Sequence, residues 1–202
     1  MKLYYSPGAC SLSPHIVAEE AGIKLQYEKV DLKTKQLDGG QDYLASNPKG
    51  YVPALALDDG ELLTEGPAIV QYLADRKPGS GLAPAAGTLP RYRLQEMLTY
   101  INSELHKNYG PLFNAATPVA LREEKVAALK KRYGLLEQQL QGKKFLFGDQ
   151  FTAADAYLFT VTNWAPKLKV DLSEFPNLQA FQQRVAARPA VQSALKSEGL
   201  LH

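Results

Sequence analysis

The first third of the chain alternates short apolar runs with amphipathic stretches. Residues 2–6, KLYYS, predict a strand stopped by Pro7 and Gly8. Residues 11–21, SLSPHIVAEEA, predict a helix with Ser11 near its start and Gly22 as its stop. Pro14 is tolerated there because it lies in the first turn. QYEKVDL (26–32) alternates as a second strand; the polar run KTKQLDGGQ and a short helical piece, DYLASN, follow. VPALAL (52–57) and ELLT (61–64) read as two strands around the hairpin signal Asp59-Gly60. Glu65-Gly66-Pro67 then opens the helix AIVQYLADR, with Pro67 in its first turn. The order is β-α-β-α-β-β-α. Its βα units imply parallel pairing and its hairpin antiparallel pairing, hence a small mixed sheet flanked by helices.

The pattern then changes. KPGSGLAPAAGTLP (77–90) is rich in Pro, Gly and Ala and reads as a linker. Beyond it nearly every segment has helical spacing. Leu94, Met97, Leu98, Ile101 and Leu105 share one face, and Val126, Leu129, Tyr133, Leu136 and Leu140 another. Thr152 and Asp155 resemble a capping box opening the helix AYLFTVTNWA. Two shorter helices, parted at Arg188-Pro189, end the chain. The expected partition is an α/β domain over 1–78, a linker over 79–89 and an all-α domain over 90–202.

Composition narrows the function. The 202 residues carry a net charge of +2 with both signs interspersed, which argues against a dedicated nucleic-acid binder. No apolar run reaches the ~18 residues of a membrane span, and the N-terminus lacks a signal-peptide pattern, so no membrane association and a cytoplasmic setting are expected. One cysteine, Cys10, excludes an internal disulfide or a Cys-based zinc cluster. The widely spaced His15, His106 and His202 support no metal site.

Cys10 lies at a strand-to-helix junction. Helix N–H groups and the positive end of the macrodipole stabilise a thiolate there, so the thiol is expected to be acidified and reactive rather than an inert core residue. Tyr4, Tyr5, Ser6 and Ser11 crowd the junction, and any of their hydroxyls could hydrogen-bond a thiolate. Alternation along the strand sends one of the two tyrosines inward.

Taken together, YYSPGACSLSPH, GYVPAL, LTEGPAIVQYLAD and the later GDQFTAADAYLF resemble the glutathione transferases from end to end, most closely their bacterial beta class. The resemblance implies a thioredoxin-like N-terminal domain, an all-α C-terminal domain and glutathione as co-substrate, without a metal. It implies a cis Val52-Pro53 peptide whose backbone, with Ala9 and Cys10 alongside, meets the cysteinyl part of glutathione. It gives Glu65 and Gly66 the γ-glutamyl group. Many relatives carry Ser where this chain has Gly66. Lys35 approaches the glycyl carboxylate in the beta class, with Lys33 as its competitor. ELHK (104–107) is placed at the active site, with His106 facing Cys10 and the glutathione thiol and Lys107 adding positive charge. Thr99 and Glu104 would reach the γ-glutamyl end, Glu104 across the interface of a homodimer. From the helix alone, Thr99, Ser103 and His106 form a polar stripe that reads as a solvated face.

The expected function is conjugation of the glutathione thiolate to small apolar electrophiles, a detoxification chemistry. Two rivals stand beside it. One is Cys10-dependent thiol–disulfide exchange, peroxide reduction or dehalogenation through a mixed disulfide. The other is a ligand- or partner-binding protein on the same fold; Cys10, Glu65, His106 and Lys107 together argue against it, since binding alone needs no thiol at a helix N-terminus.

Overall fold

The structure, a computed structural model, describes residues 1–201. His202 lies outside the described residues. The chain forms two compact units: residues 1–83 with those from Arg188 onward, and residues 84–187.

The first unit is built on a five-stranded sheet of β1 (Lys2–Tyr5), β2 (Gln26–Asp31), β3 (Gln36–Leu37), β4 (Ala54–Ala56) and β5 (Leu62–Thr64), in the order β3-β2-β1-β4-β5. β1 runs parallel to β2, with Leu3 opposite Tyr27, and antiparallel to β4, with Leu3 opposite Leu55. β4 and β5 form the expected hairpin, and Gly60 supplies the positive φ of its turn. The helices are α1 (Leu12–Ala21) and α2 (Gly66–Asp75), which pack on each other, and α8 (Pro189–Ser197), which packs on α1. Every residue of α1 from Leu12 to Ala18 is buried, because the helix is covered on several sides. Gly22 ends it in the left-handed conformation, its N–H returning to the last turn. Tyr4 faces inward against Tyr43 at 5.2 Å between ring centroids.

Three details of this unit depart from the sequence expectation. The polar run contributes a two-residue strand, β3, paired antiparallel with the end of β2 at Val30–Leu37. The expected second helix is a single 3-10 turn, Tyr43–Ala45, capped by the Asp42 side chain on the Leu44 N–H at 2.9 Å. By packing, residues from Arg188 onward belong with the first unit and not with 90–187. Their anchors are specific. Val191 and Ala194 are fully buried, the Arg188 guanidinium donates to both carboxylate oxygens of Glu20, and Glu198 is bound to α1 and to the loop before it.

The second unit contains α3 (Leu89–Tyr100), the three-residue turn α4 (Lys107–Tyr109), α5 (Val119–Leu140), α6 (Ala153–Thr162) and α7 (Pro176–Ala186). The expected apolar faces are buried: Leu94, Leu98, Ile101 and Leu105 fully, and Leu129, Tyr133, Leu136 and Leu140 opposite them. Val126 is only half-buried. Helix α6 is buried at every residue. Its capping box forms as the sequence implied, with Asp155 Oδ2 accepting from the Thr152 N–H at 2.8 Å and the Thr152 hydroxyl at 2.7 Å. Asp155 Oδ1 accepts from the Leu146 N–H at 2.8 Å, so the same carboxylate holds the preceding loop. One feature had no sequence counterpart. Between α3 and α4 the backbone over Ile101–His106 is π-helical, and the Lys107 N–H reaches back five residues to the Asn102 carbonyl. Among the described residues no helix is long and apolar enough to cross a membrane.

Candidate active site

In the first unit the predicted residues gather around one loop, Gly50-Tyr51-Val52-Pro53, in which the Gly50, Tyr51 and Val52 carbonyls are each engaged. Lys35 Nζ donates to the Gly50 carbonyl at 2.9 Å. The Tyr51 carbonyl accepts from the Tyr43 hydroxyl at 2.6 Å and from Asn47 Nδ2 at 2.9 Å. The Val52 carbonyl accepts from Cys10 Sγ at 3.1 Å. Tyr43 and Asn47 are buried, so the loop is pinned from beneath. The Val52–Pro53 bond is cis, as the resemblance implied.

The surroundings of Cys10 differ from the expectation in one respect. Its sulfur donates to the Val52 carbonyl and not to a neighbouring hydroxyl. The Ser11 hydroxyl, offered as a possible partner for the sulfur, bonds instead to the backbone of Ser6, accepting from its N–H at 3.1 Å and donating to its carbonyl at 3.3 Å. The loop bearing Cys10 is tied down by a residue far along the chain. Glu198, buried in the last turn, accepts from the Gly8 N–H and from His15 Nδ1, both at 2.9 Å. Ala9 packs against the small core around Tyr4, Tyr43 and Val52.

The two competing lysines separate clearly. Lys33 is exposed, whereas Lys35 is half-buried, takes a positive φ of 60°, and lies with its ammonium 6.0 Å from the Tyr51 ring centroid. Glu65 also has a positive φ, 71°, at the N-cap of α2. A non-glycine residue held there costs on the order of 1–3 kcal/mol. Lys49, which sequence reasoning did not single out, reaches Thr64 Oγ1 at 2.9 Å and Glu65 Oε1 at 3.4 Å. Gly66 is adjacent to the loop: a Cβ added to it would meet Pro53 Cγ at 3.8 Å, an ordinary contact.

The second unit holds Thr99, Glu104, His106 and Lys107. The supposed polar stripe is not uniform. The Thr99 and Ser103 hydroxyls are exposed and donate to carbonyls of their own helix, Thr99 to Gln95 at 2.8 Å and Ser103 to Thr99 at 3.0 Å. Glu104 accepts from Arg132 Nε at 2.9 Å, so it has a structural partner on α5. Lys107 is exposed. His106, at the end of the π turn, is half-buried against α6. Its Nδ1 lies 2.6 Å from the Tyr157 hydroxyl, which in turn donates to Asn102 Oδ1 at 2.9 Å. The Trp164 ring meets it edge-on at 5.0 Å. Trp164 was expected to be core, and it is buried, but it also bounds this imidazole. Nothing in the local pattern around Tyr157 or Asn102 marked them as neighbours of His106. The contact spans 51 residues.

The family model described as Glutathione S-transferase, N-terminal domain matches residues 8–76, and that described as Glutathione S-transferase, C-terminal domain matches 97–189. The chain is 48% identical over 200 residues to glutathione S-transferase GstA of Escherichia coli O157:H7, covering 99% of this chain and 100% of the relative. Among solved structures, a ternary complex of BphK, a bacterial glutathione transferase, superposes with a TM-score of 0.97 at 56% identity, covering 99% of this chain and 100% of that one. The bacterial beta-class enzyme of Sphingomonas chungbukensis superposes with a TM-score of 0.96 at 47% identity over all of both chains. This chain belongs to the glutathione S-transferase family, in its bacterial beta class.

Proposed function

We propose that this protein conjugates the glutathione thiolate to small apolar electrophiles, with its first unit holding glutathione and His106 accepting the thiol proton. The observation that carries the binding half is the donor set around the Gly50–Pro53 loop. It suits an extended tripeptide with a charged group at each end. Lys35 takes the glycyl carboxylate. The Val52 backbone pairs with the cysteinyl unit as an added strand would; its carbonyl has a second lone pair beside the one facing Cys10. At the N-terminus of α2, where Pro67 has no N–H and Ala68 and Ile69 already donate to the Glu65 carbonyl, the Gly66 N–H takes the γ-glutamyl carboxylate, and Glu65 takes the ammonium. In the chemical step the S–H bond of glutathione breaks, its proton passes to the imidazole of His106, and the thiolate attacks the electrophile, forming a C–S bond while the leaving group, chloride in a chloroarene, departs with its bonding pair. Lys107 adds positive charge. Thr99 and Glu104 contact the γ-glutamyl end, Glu104 across a homodimer interface, and a homodimer mass in light scattering is the expected result.

A second reading, thiol–disulfide exchange at Cys10, is favoured by one contact. The Cys10 sulfur lies 3.1 Å from the same carbonyl that would receive the cysteinyl N–H of glutathione. The Cys10 thiolate would attack glutathione disulfide, forming one S–S bond to glutathione and releasing one reduced glutathione. With no second cysteine in the chain, a further glutathione thiolate must resolve it.

Titration calorimetry of the reduced protein with glutathione, beside Cys10→Ala, tests both readings. Both proteins are expected to bind, and only the wild type is expected to gain a glutathione adduct in mass spectrometry after exposure to glutathione disulfide. Failure of both folded proteins to bind overturns the transferase reading; an adduct on the Cys10→Ala protein overturns the exchange reading.

Gly66→Ser is a gain-of-binding prediction. The site has room for the Cβ and no positive φ to resist it. The added hydroxyl supplies one more donor to the γ-glutamyl carboxylate, worth about 0.5–1.5 kcal/mol. The Kd for glutathione is expected to fall roughly two- to tenfold, and an unchanged or higher Kd would place the carboxylate elsewhere.

A further inference from the structure

Glu198 is a buried acid that the proposed reaction does not use. It stands at the end of the last helix, where its own N–H donates to the Ala194 carbonyl at 3.0 Å. Gly199, at a φ of 69°, turns the chain back so that the Leu200 N–H reaches the Leu195 carbonyl at 2.9 Å. The side chains of Glu198 and His15 are 0% and 1% exposed. An ionised carboxylate can only accept hydrogen bonds. This one takes the Gly8 N–H on Oε2 and His15 Nδ1 on Oε1, both at 2.9 Å. The Tyr27 ring lies against the imidazole at 4.1 Å between centroids.

Docking of α8 does not by itself call for a buried charge. The helix is already clamped to α1 where it begins, by Arg188 on Glu20, and its Val191 and Ala194 are fully buried. Burying a carboxylate costs solvation that an apolar side chain would not. What the charge adds is a strong hold on a backbone N–H. That N–H belongs to the turn Ser6-Pro7-Gly8-Ala9, closed by the Ala9 N–H on the Ser6 carbonyl at 3.0 Å. Pro7 and Gly8, the latter at a φ of 70°, occupy its corners as in a type II turn. The chain just beyond the turn is fixed by α1, since the Ser13 hydroxyl donates to the Cys10 carbonyl at 2.8 Å. The corner at Gly8 is held by Glu198, and the end of the chain lies beside it: a Cβ added to Gly8 would meet Leu200 Cδ2 at 3.6 Å.

We infer that Glu198 is a positioning residue for the active site: with its carboxylate oriented by His15, it fixes the Pro7-Gly8 corner and so sets Ala9 and Cys10 against the Val52 carbonyl. The consequence for glutathione rests on the proposed place of Ala9 and Cys10 beside its cysteinyl unit.

The test compares wild type with Glu198→Leu, Glu198→Gln and, as a control for α8 docking, Val191→Ala, each at a temperature where circular dichroism shows it folded. In Glu198→Leu the Ala9 amide is expected to exchange with solvent about 10-fold faster or more. The KM for glutathione is expected to rise roughly tenfold, with kcat changed less than about threefold. Alkylation of Cys10 by iodoacetamide is expected to quicken several-fold as the sulfur is exposed. Glu198→Gln keeps an acceptor for the Gly8 N–H and turns its amide N–H to His15 Nδ1, which accepts when the imidazole carries its proton on the other nitrogen. It is expected to stay close to the wild type in all three readouts. Val191→Ala loosens α8 without touching the turn and is expected to lower stability with KM unchanged. Should Glu198→Leu fail to fold, Glu198→Asp, whose carboxylate falls one methylene short of Gly8, is expected to show the same changes in smaller measure. A wild-type Ala9 amide without protection, an unaltered KM and alkylation rate in the folded Leu or Asp variant, or an equal rise of KM in Val191→Ala overturns the inference. A wild type that binds no glutathione overturns the transferase reading instead, and exchange at Ala9 with alkylation of Cys10 then decides whether Glu198 holds the turn.

Discussion

Asp155→Ala is expected to lower the unfolding free energy by about 3 kcal/mol at neutral pH. The carboxylate is fully buried and accepts three hydrogen bonds, from the Leu146 N–H, the Thr152 N–H and the Thr152 hydroxyl. Alanine leaves all three donors buried without that acceptor, at roughly 1–3 kcal/mol each. Against this stands the cost of burying the charge, which pushes the carboxyl up from 3.8 to about 6 despite those hydrogen bonds. A displacement of that size corresponds to about 3 kcal/mol, and the difference is still a large share of the ~5–15 kcal/mol that holds a typical domain together. Helix α6 is the element at risk, and all of it is core. The same displacement fixes a pH dependence. Because the folded-state value lies above the unfolded one, the folded protein binds the proton more tightly between the two. The contribution of this group is therefore complete below pH ~4 and is lost as pH rises through about 6. Urea denaturation of wild type and Asp155→Asn isolates it, since the amide does not titrate. The advantage of the wild type is expected to shrink by about 3 kcal/mol between pH ~4 and pH ~7. An advantage that stays constant or grows over that range contradicts the assignment.

His106→Ala is expected to lower kcat/KM for glutathione conjugation at neutral pH by about 100-fold or more, within the usual range for removal of a general base. The loss belongs to thiol ionisation, so it should depend on pH. Raising the pH towards the ordinary thiol value, about 8.5, ionises glutathione without assistance, and the variant is expected to recover relative to the wild type. Binding of glutathione should change far less than turnover, because the residues assigned to hold the tripeptide are mostly on the loop around Val52 and at the start of α2. The measurement is kcat/KM against pH with an activated chloroarene, paired with calorimetric Kd values. A variant whose pH profile overlies that of the wild type would show that His106 takes no proton.

Much of the fold was legible because its signals are local. Pro7-Gly8 ended β1, Gly22 ended α1, Asp59-Gly60 turned the hairpin, and Thr152 with Asp155 started α6. Each acts within a few residues through backbone conformation or a short hydrogen bond. The apolar faces of α3 and α5 were readable for the same reason, since period alone decides which side chains align. The segment Gln36–Leu37 was not readable as a strand: two residues show no alternation, and only the edge of β2 makes them one. Nor does periodicity separate a π turn from an α-helix over Ile101–His106.

The candidate site divides along the same line. Cys10 was singled out by its place at a strand-to-helix junction, and Val52-Pro53, Glu65-Gly66 and His106 by the family resemblance; in the structure Val52-Pro53 is a cis peptide in a loop, Glu65 is the N-cap of α2 and His106 ends the π turn. Residue type alone does not separate Lys35 from Lys33; the resemblance preferred Lys35, and it is Lys35 that donates to the Gly50 carbonyl. Ser11 could be assigned no partner until its hydroxyl was seen on the Ser6 backbone. By itself the sequence determined the family, the order of the elements and the residue types that bring chemistry to the site, because these depend on composition and near-neighbour spacing. The tertiary structure alone decided which polar groups share a proton. Glu198 reaches Gly8 across 190 residues and Tyr157 reaches His106 across 51. Those contacts are selected by packing, where a buried donor must find whichever acceptor the fold brings to it, and no local pattern records that choice.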